Sequence, residues 1–160
     1  MANVIITLPK ELWEKIVLKE KQYELRKNYP KINVLSSRVY VVIKGSTYVA
    51  GYFNVGAIWE TDDFNQLWQH YGKQLGITFD WFCNYVYTVK HKAYLWQIDN
   101  VYRYRGNIDL EEYFGVKHNP QSFIYTDKEP FVPGYSAWFH SFSQNVWKTS
   151  GKPLQPYPLF

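Results

Sequence analysis

Three charged side chains of complementary chemistry lie close together near the N-terminus: Lys21, Glu24 and Arg26. Glu24 and Arg26 are two residues apart, so they share one face of a strand, and Lys21 lies where the chain turns into that strand. An ammonium, a carboxylate and a guanidinium at one place can bind a phosphate, hold the edge of a base or transfer protons. The alternative is an ion-pair network on the rim of a small barrel, which needs no ligand.

Other catalytic chemistry has little support in the sequence. It contains no Walker A loop, G-x-G-x-x-G turn, G-x-S-x-G elbow or H-E-x-x-H helix. Cys83 lies in an aromatic segment, which predicts a buried and unreactive thiol. The histidines are scattered, and no two have the helical spacing of metal ligands: His70, His91, His118 and His140. We therefore expect no metal and no cofactor.

The positive charge is concentrated at the N-terminus. Residues 1–32 contain seven Lys or Arg and four Glu, so they contribute +3 of the net charge of +4. Such a cluster attracts polyanions such as RNA, although Glu–Lys pairs on a solvated helix explain it equally well. The single Cys excludes an internal disulfide, and neither a long apolar run nor a secretory leader is visible. These features predict a cytoplasmic protein with no membrane contact.

The hydrophobic pattern predicts the elements that position the charged residues. Pro9 suits the first turn of an amphipathic helix that ends near Lys19. Gly51 and Gly56 predict bends in a long strand, and Thr61 is predicted to cap the next helix. The predicted strands are 3–8, 22–26, 38–44, 48–59, 93–105 and 122–125, and the predicted helices are 9–19, 62–75, 78–87 and 109–114. Because no regular βαβ alternation is present, the pattern favours an α+β fold with a mixed sheet or small barrel.

The composition changes at residue 129. The last 32 residues contain five prolines and eight aromatic residues, which a flexible linker would not carry. Those aromatic residues are Phe131, Tyr135, Trp138, Phe139, Phe142, Trp147, Tyr157 and Phe160. A helix is predicted from four residues at helical spacing: Trp138, Phe139, Phe142 and Val146. We expect this segment to pack across the domain; the alternative is a surface that binds a protein partner or stacks on bases.

The segment around the charged residues resembles a known family. Residues 21–26 (Lys-Gln-Tyr-Glu-Leu-Arg), preceded by Leu8-Pro9 and an amphipathic helix, resemble the ASCH signature G-x-K-x-x-E-x-R. The order of elements is similar over residues 3–126, although Lys19 stands where the signature has glycine. The resemblance implies a PUA-like small mixed β-barrel with peripheral helices. It divides the chain into an ASCH/PUA-like domain (1–128) and a C-terminal extension (129–160).

The resemblance leaves two hypotheses for the site. In a binding module, Lys21, Glu24 and Arg26 line a cleft for RNA, a nucleotide or a modified nucleoside. Tyr52 and Trp59 on the long strand are then candidates for base stacking. In a small hydrolase that acts on a modified nucleoside or on RNA, Lys21 stabilises charge and Glu24 acts as the base. ASCH proteins that resemble amidohydrolases use a threonine at the position of Glu24 and a glutamate on the following helix, where residues 67–75 contain no carboxylate.

Overall fold

A computed structural model describes residues 2–87, 92–138 and 152–153 of the chain. These residues form eight strands and four α-helices, which confirms the predicted α+β class. The strands are β1 (Asn3–Leu8), β2 (Tyr23–Arg26), β3 (Arg38–Ile43), β4 (Tyr48–Thr61), β5 (Ala93–Asp109), β6 (Phe123–Thr126), β7 (Gly134–Trp138) and β8 (Lys152–Pro153). The helices are α1 (Lys10–Val17), α2 (Phe64–Tyr71), α3 (Phe79–Tyr87) and α4 (Leu110–Phe114), and a 3-10 turn (Gly72–Gln74) follows α2.

One mixed sheet organises the fold. Its strands run in the order β2-β5-β4-β3-β1-β6, with β1 and β3 parallel and the other neighbours antiparallel. β7 pairs with β5, and β8 pairs with β4. Backbone pairing among the described residues does not join β2 to β6, so the closed barrel that the family resemblance implies is not confirmed.

Both faces of the central strands are covered, which explains their continuous apolar sequences. On β1, Val4 and Ile6 enter a first core beneath α1, whereas Ile5 enters a second core on the other side of the sheet. Trp13 of α1 belongs to the first core, and α4 contributes to the second. Complete burial of such an aliphatic side chain stabilises a fold by about 1.5–3 kcal/mol.

Helices α2 and α3 pack on the strand that carries the charged residues. Tyr23 and Leu25 of β2 meet Leu67 of α2 and Phe82 of α3 in a third core. Because successive strand residues point to opposite faces, this packing directs the intervening Glu24 towards the other side of β2.

Gly51 and Gly56 lie at irregularities of β4, as predicted. The register of β4 against β5 shifts next to both glycines. A Cβ on Gly51 would overlap the carbonyl oxygen of Tyr102, and a Cβ on Gly56 would overlap the carboxylate of Asp99. Glycine therefore permits the close approach of β4 and β5 at these bulges, which increase the local twist of the sheet.

The predicted limits of the second helix are corrected. β4 continues through Thr61, so α2 begins only at Phe64. The carboxylate of Asp63, rather than the Thr61 hydroxyl, caps the helix by accepting from the amide of Gln66 at 3.1 Å. α2 then ends at Tyr71 in the 3-10 turn instead of continuing to residue 75.

The segment after residue 129 adds a strand to the sheet. β7 pairs with residues 101–104 of β5, and Nε1 of Trp138 donates to the carbonyl of Ile16 in α1. Because Trp138 ends this strand, the helix predicted to include it does not begin there, and its other predicted positions, Phe139, Phe142 and Val146, lie outside the described residues. Within the described ranges, no helix is long and apolar enough to cross a membrane.

Candidate functional site

A tight turn after α1 brings the charged residues into position. The amides of Lys19 and Glu20 donate to the carbonyls of Ile16 and Lys15 at 3.0 and 2.9 Å. This hydrogen-bond pattern places Lys19 in the left-handed region, with φ +66°. Lys19 stands where the ASCH signature has glycine, the residue that adopts this conformation most easily.

Replacing Lys19 with glycine is expected to stabilise the protein by about 0.5–1 kcal/mol, because a Cβ in the left-handed region costs free energy. The matched control is Lys19→Ala, which removes the ammonium group but keeps the Cβ and should give no such gain. Urea unfolding of the two variants and the wild type measures the difference. A Lys19→Gly protein less stable than Lys19→Ala would contradict this explanation.

Lys21 is buried and fully hydrogen-bonded. Its Nζ donates to the carbonyl of Tyr23 at 2.8 Å and to that of Leu75 at 2.7 Å, and it lies 3.0 Å from Oε1 of Glu24. These three acceptors use all three N–H bonds of an ammonium group. The side chain is only 2% exposed. Lys21 therefore ties β2 to the end of the 3-10 turn rather than presenting its charge to solvent.

Glu24 lies between two cations. Its Oε1 meets Lys21, and its Oε2 accepts from Nε of Arg26 at 2.7 Å. Burial alone would raise the pKa of Glu24, but the charges of Lys21 and Arg26 outweigh burial, so the pKa lies below its usual range. Burial also lowers the pKa of Lys21, and Glu24 opposes part of that shift. The carboxylate is therefore ionised at neutral pH and is a weak base.

Arg26 extends the network across the open side of the sheet, where β2 and β6 are not paired with each other. Its Nη1 donates to the carbonyl of Ser122, just before β6, at 3.1 Å, and its Nη2 donates to the carbonyl of Thr7 in β1 at 3.5 Å. The guanidinium lies 5.7 Å from the ring centre of Trp96, the β5 residue that pairs with Glu24. Arg26 thus joins β2 to the strands that backbone pairing leaves apart. Its side chain is 14% exposed, more than that of Lys21 or Glu24.

The spacing of Lys21, Glu24 and Arg26 in the sequence led us to expect that they converge, and the structure brings them together. We call these three residues the charged triad. The triad is an ion-pair network, as the alternative without a ligand describes, and its Lys21 and Glu24 side chains are buried. Buried ion pairs are held in fixed geometry by their surroundings, whereas exposed pairs contribute little to either stability or orientation.

An aromatic stack from α3 lies beside the charged triad. The ring of Tyr85 stacks on that of Trp81, with centres 5.1 Å apart and planes 11° apart. Burial, and then the charge of Glu24, raises the pKa of Tyr85 to about 12, which places the phenol within electrostatic reach of the triad. Nζ of Lys27 lies 5.4 Å from the centre of the Tyr85 ring. Trp81 is 48% exposed, so much of its indole is accessible to a ligand.

Tyr52 and Trp59 do not lie with the charged triad, contrary to the prediction. Tyr52 pairs with Tyr40 and Tyr102 on the neighbouring strands and packs against the second core. Trp59 is buried and pairs with Leu95, in the row of side chains next to the row that contains Glu24. Because neighbouring rows point to opposite faces of a sheet, Trp59 is directed away from Glu24.

The sequence analysis proposed Tyr52 and Trp59 as the stacking residues and did not identify Trp81 and Tyr85. Trp81 and Tyr85 are four residues apart in α3, so they share one face of the helix, and this spacing is visible in the sequence. Which element that face would approach is not visible, because it depends on how α3 packs against β2. Within residues 2–87 and 92–138, no three His, Cys, Asp or Glu side chains are grouped so that they could hold a metal ion.

The fold and the site define a class: an α+β protein with one mixed sheet, in which a buried Lys–Glu–Arg triad joins strands at the open side of the sheet. Solved structures of the ASCH protein from Zymomonas mobilis share this fold. The protein without a stated mutation is 25% identical with a TM-score of 0.65, and the alignment covers 77% of this chain and 86% of that one. Its tyrosine-to-phenylalanine variant gives 25% identity and a TM-score of 0.64, over 77% and 88% of the two chains.

The serine-to-alanine variant of the same protein is 24% identical, with a TM-score of 0.64 and coverage of 77% of this chain and 87% of that one. No protein-family profile matches the chain, and no curated protein sequence does. The structural likenesses support the assignment of the chain to the ASCH domain family, in agreement with the signature at residues 19–26.

Proposed function

We propose that the chain binds RNA or a nucleotide at a surface formed by Arg26, Lys27, Trp81 and Tyr85. The observation that carries this proposal is the half-exposed indole of Trp81, which is held flat against Tyr85 beside the ammonium of Lys27. An aromatic platform next to positive charge is the arrangement with which proteins bind single-stranded nucleic acids. Membership of the ASCH family favours the same class of ligand.

In this proposal, different residues of the surface bind the base and the phosphate. A base stacks on Trp81, an interaction worth about 1–3 kcal/mol. The exposed ammonium of Lys27 attracts the adjacent phosphate, and the fork of Arg26 supplies directional N–H donors at the inner end of the surface. The further cations of residues 1–32 strengthen the attraction of a polyanion.

Lys21 and Glu24 act in this proposal as positioning residues. Lys21 holds one carboxylate oxygen of Glu24, and the other oxygen holds Nε of Arg26, so the guanidinium is presented in one orientation. In this proposal only Arg26 of the K-x-x-E-x-R motif contributes to the ligand surface, and Lys21 and Glu24 lie buried behind it. We further propose that residues 1–128 form the ASCH/PUA-like domain and that residues 129–160 are an extension packed on it; the pairing of residues 134–138 with β5 supports this division.

The hydrolase hypothesis has less support. A catalytic role for Lys21 requires an N–H that can reach a substrate, yet all three are directed to protein oxygens. The lowered pKa of Glu24, which reflects Lys21 and Arg26 overcoming the effect of burial, makes this carboxylate a poor proton acceptor. Hydrolysis would therefore need a rearrangement of the charged triad, whereas binding at the aromatic stack needs none.

Replacing Trp81 with alanine is expected to weaken binding of a 12-nucleotide single-stranded RNA by about 5- to 100-fold, because the stacking surface is lost. Fluorescence anisotropy of the labelled RNA measures the affinity. The matched control is Phe131→Ala, which removes an aromatic ring that is 96% exposed and outside the proposed surface. Equal affinities for the two variants would contradict the placement of the base on Trp81.

The same titrations at several salt concentrations test the phosphate contact. Lys27→Gln should lower the slope of log affinity against log salt by about 0.7 for single-stranded RNA, because one fewer counterion is released. Lys117→Gln removes an equivalent exposed charge in the loop after α4 and should leave the slope unchanged. RNA binding that is undetectable even at low salt would reject the proposed function itself.

A further inference from the structure

A second cluster of polar aromatic residues lies on the opposite face of the sheet from the charged triad. Arg38 begins β3, and its guanidinium lies 4.4 Å from the ring centre of Tyr52. Tyr52 in turn stacks on Tyr102, with ring centres 5.2 Å apart and planes 18° apart. Tyr40 and Tyr104 complete the group, and both make edge contacts with Tyr52. We call these five residues the tyrosine–arginine cluster.

The phenol hydroxyl groups of this cluster differ in their hydrogen bonding. The Tyr40 hydroxyl accepts from Nη1 of Arg38 at 3.4 Å and donates to the carbonyl of Lys128 at 3.3 Å. The Tyr102 hydroxyl donates to the carbonyl of Val132 at 3.4 Å. The Tyr104 hydroxyl has no hydrogen-bond partner among the described residues, although Tyr104 is only 4% exposed. A buried donor without a partner lowers the stability of the fold by about 1–3 kcal/mol, so a ligand that accepts from this hydroxyl would remove that cost.

The phenols are donors at neutral pH. Burial is the largest cause that raises the pKa of Tyr104, Tyr40 and Tyr52 above the ordinary value of 10.0. Tyr104 contacts the same Tyr52 ring on which the Arg38 guanidinium lies, so both belong to one cluster. Protonated phenols beside a guanidinium supply N–H and O–H donors to one anion.

The carboxylate of Glu129 lies beside Arg38, and its contacts with the protein are long. Oε1 of Glu129 is 3.7 Å from Nη2 of Arg38, and Oε2 accepts from Nδ2 of Asn3 at 3.2 Å. The Glu129 side chain is 57% exposed, so this pair contributes little to stability. In contrast, Arg26 meets its carboxylate at 2.7 Å in a buried site. An exposed carboxylate at 3.7 Å is one that a stronger anion can displace.

We propose that the tyrosine–arginine cluster binds a phosphate group, and that Glu129 occupies its place when no ligand is bound. A phosphate fits the available donors better than a carboxylate does. It has more acceptor oxygens and more charge, so it can accept from the Arg38 fork and from the unpartnered Tyr104 hydroxyl together. The stacked Tyr52 ring holds the guanidinium in one orientation for this purpose. The site is separate from the proposed RNA-binding surface, because its residues lie on β3, β4 and β5, whereas that surface is formed by Arg26 at the end of β2, by Lys27 and by α3.

Calorimetric titration of the full-length chain with inorganic phosphate tests the proposal. Glu129→Gln keeps the shape of the side chain and removes the competing charge, so its affinity for phosphate should exceed that of the wild type by about tenfold. Adding Arg38→Gln to that variant should abolish binding. The matched control is Arg105→Gln in the Glu129→Gln background, which removes an exposed charge outside the cluster and should leave the affinity unchanged.

A conservative variant separates the proposed site from general attraction to positive charge. Tyr104→Phe in the Glu129→Gln background keeps the core filled and removes only the hydroxyl, and it should weaken phosphate binding by about three- to tenfold. Circular dichroism establishes that each variant is folded. The proposal is wrong if Glu129→Gln does not bind phosphate more tightly than the wild type, or if Arg38→Gln and Arg105→Gln have equal effects.

Two RNAs that differ only at the 5′ end show whether the bound phosphate belongs to an RNA or to a small molecule. A 5′-phosphorylated RNA that binds the Glu129→Gln variant more tightly than its 5′-hydroxyl counterpart, with the difference lost on Arg38→Gln, identifies an RNA end as the source. If inorganic phosphate binds but the two RNAs do not differ, the ligand is a free phosphate or a small phosphorylated molecule.

Discussion

Replacing Glu24 with glutamine is expected to lower the free energy of unfolding by about 3–5 kcal/mol, because it leaves two buried cations without a counter-charge. Lys21 and Arg26 each direct a donor to the same carboxylate, and both side chains are largely buried. In glutamine an NH2 donor replaces one of the two oxygens, so one of these cations faces a donor instead of an acceptor. The loss is therefore larger than the value of a typical ion pair on the surface.

Urea unfolding at neutral pH measures this loss. The matched control is Glu20→Gln, which neutralises an exposed carboxylate only four residues away and should change stability by less than about 0.5 kcal/mol. If Glu24→Gln unfolds at the same urea concentration as Glu20→Gln, the triad does not stabilise the fold in the way described.

The same substitution should also change how stability depends on pH. Lys21 and Arg26 outweigh burial and hold the pKa of Glu24 in the folded state below its ordinary value of 4.5. The ionised carboxylate therefore stabilises the fold fully above that pH, and this contribution is lost as the pH falls from 4.5 through the folded-state pKa. The stability difference between the wild type and Glu24→Gln should consequently narrow in acid. A difference that widens on acidification would show that the pKa is raised instead.

Truncation after Lys128 is expected to destabilise the protein by about 3–5 kcal/mol or more, a loss of the size seen when a packed tryptophan is removed. The extension supplies β7, which covers an edge of β5, and the Trp138 side chain, which donates to the end of α1. It also supplies Val132, which packs against the second core. Removal exposes these surfaces and releases the helix that leads into the charged triad.

Thermal and urea unfolding of the truncated chain measure this effect. Phe131→Ala is a matched control for loss of aromatic surface from the same segment, since this side chain is 96% exposed and its removal should have little effect. Trp138→Ala should reproduce part of the loss caused by truncation. A truncated chain with the stability of the full-length protein would mean that the extension is not part of the folded unit.

The local pattern was sufficient to predict most elements of the fold. Alternating or continuous apolar residues predicted β1, β3 and β4 to within about two residues, because strand periodicity is a local property. β5 extends beyond its predicted end to Asp109, since its last residues pair with the start of β4. That pairing is non-local, and the local residue pattern around position 105 does not indicate it.

The chemistry of the site was harder to predict than its location. The spacing of Lys21, Glu24 and Arg26 indicated that they converge, but their burial depends on contacts far along the chain. Lys21 meets Leu75 across 54 residues, and Arg26 meets Ser122 across 96. The register of β4 similarly decided that Tyr52 and Trp59 face away from the triad. A shift of one residue in a strand exchanges its two faces, and a sequence alone does not fix the register of a bulged strand.

The central claim, that RNA binds beside the charged triad, is tested most directly by photo-crosslinking. A single-stranded RNA containing 4-thiouridine is irradiated with the full-length chain, and the attached peptides are identified by mass spectrometry. We expect the crosslinks in residues 79–87, which contain Trp81 and Tyr85, and in residues 26–31 next to them, and we expect Trp81→Ala to reduce them. Crosslinks confined to the strands that carry Tyr52 and Tyr102, or an unchanged pattern with Trp81→Ala, would contradict the proposed surface.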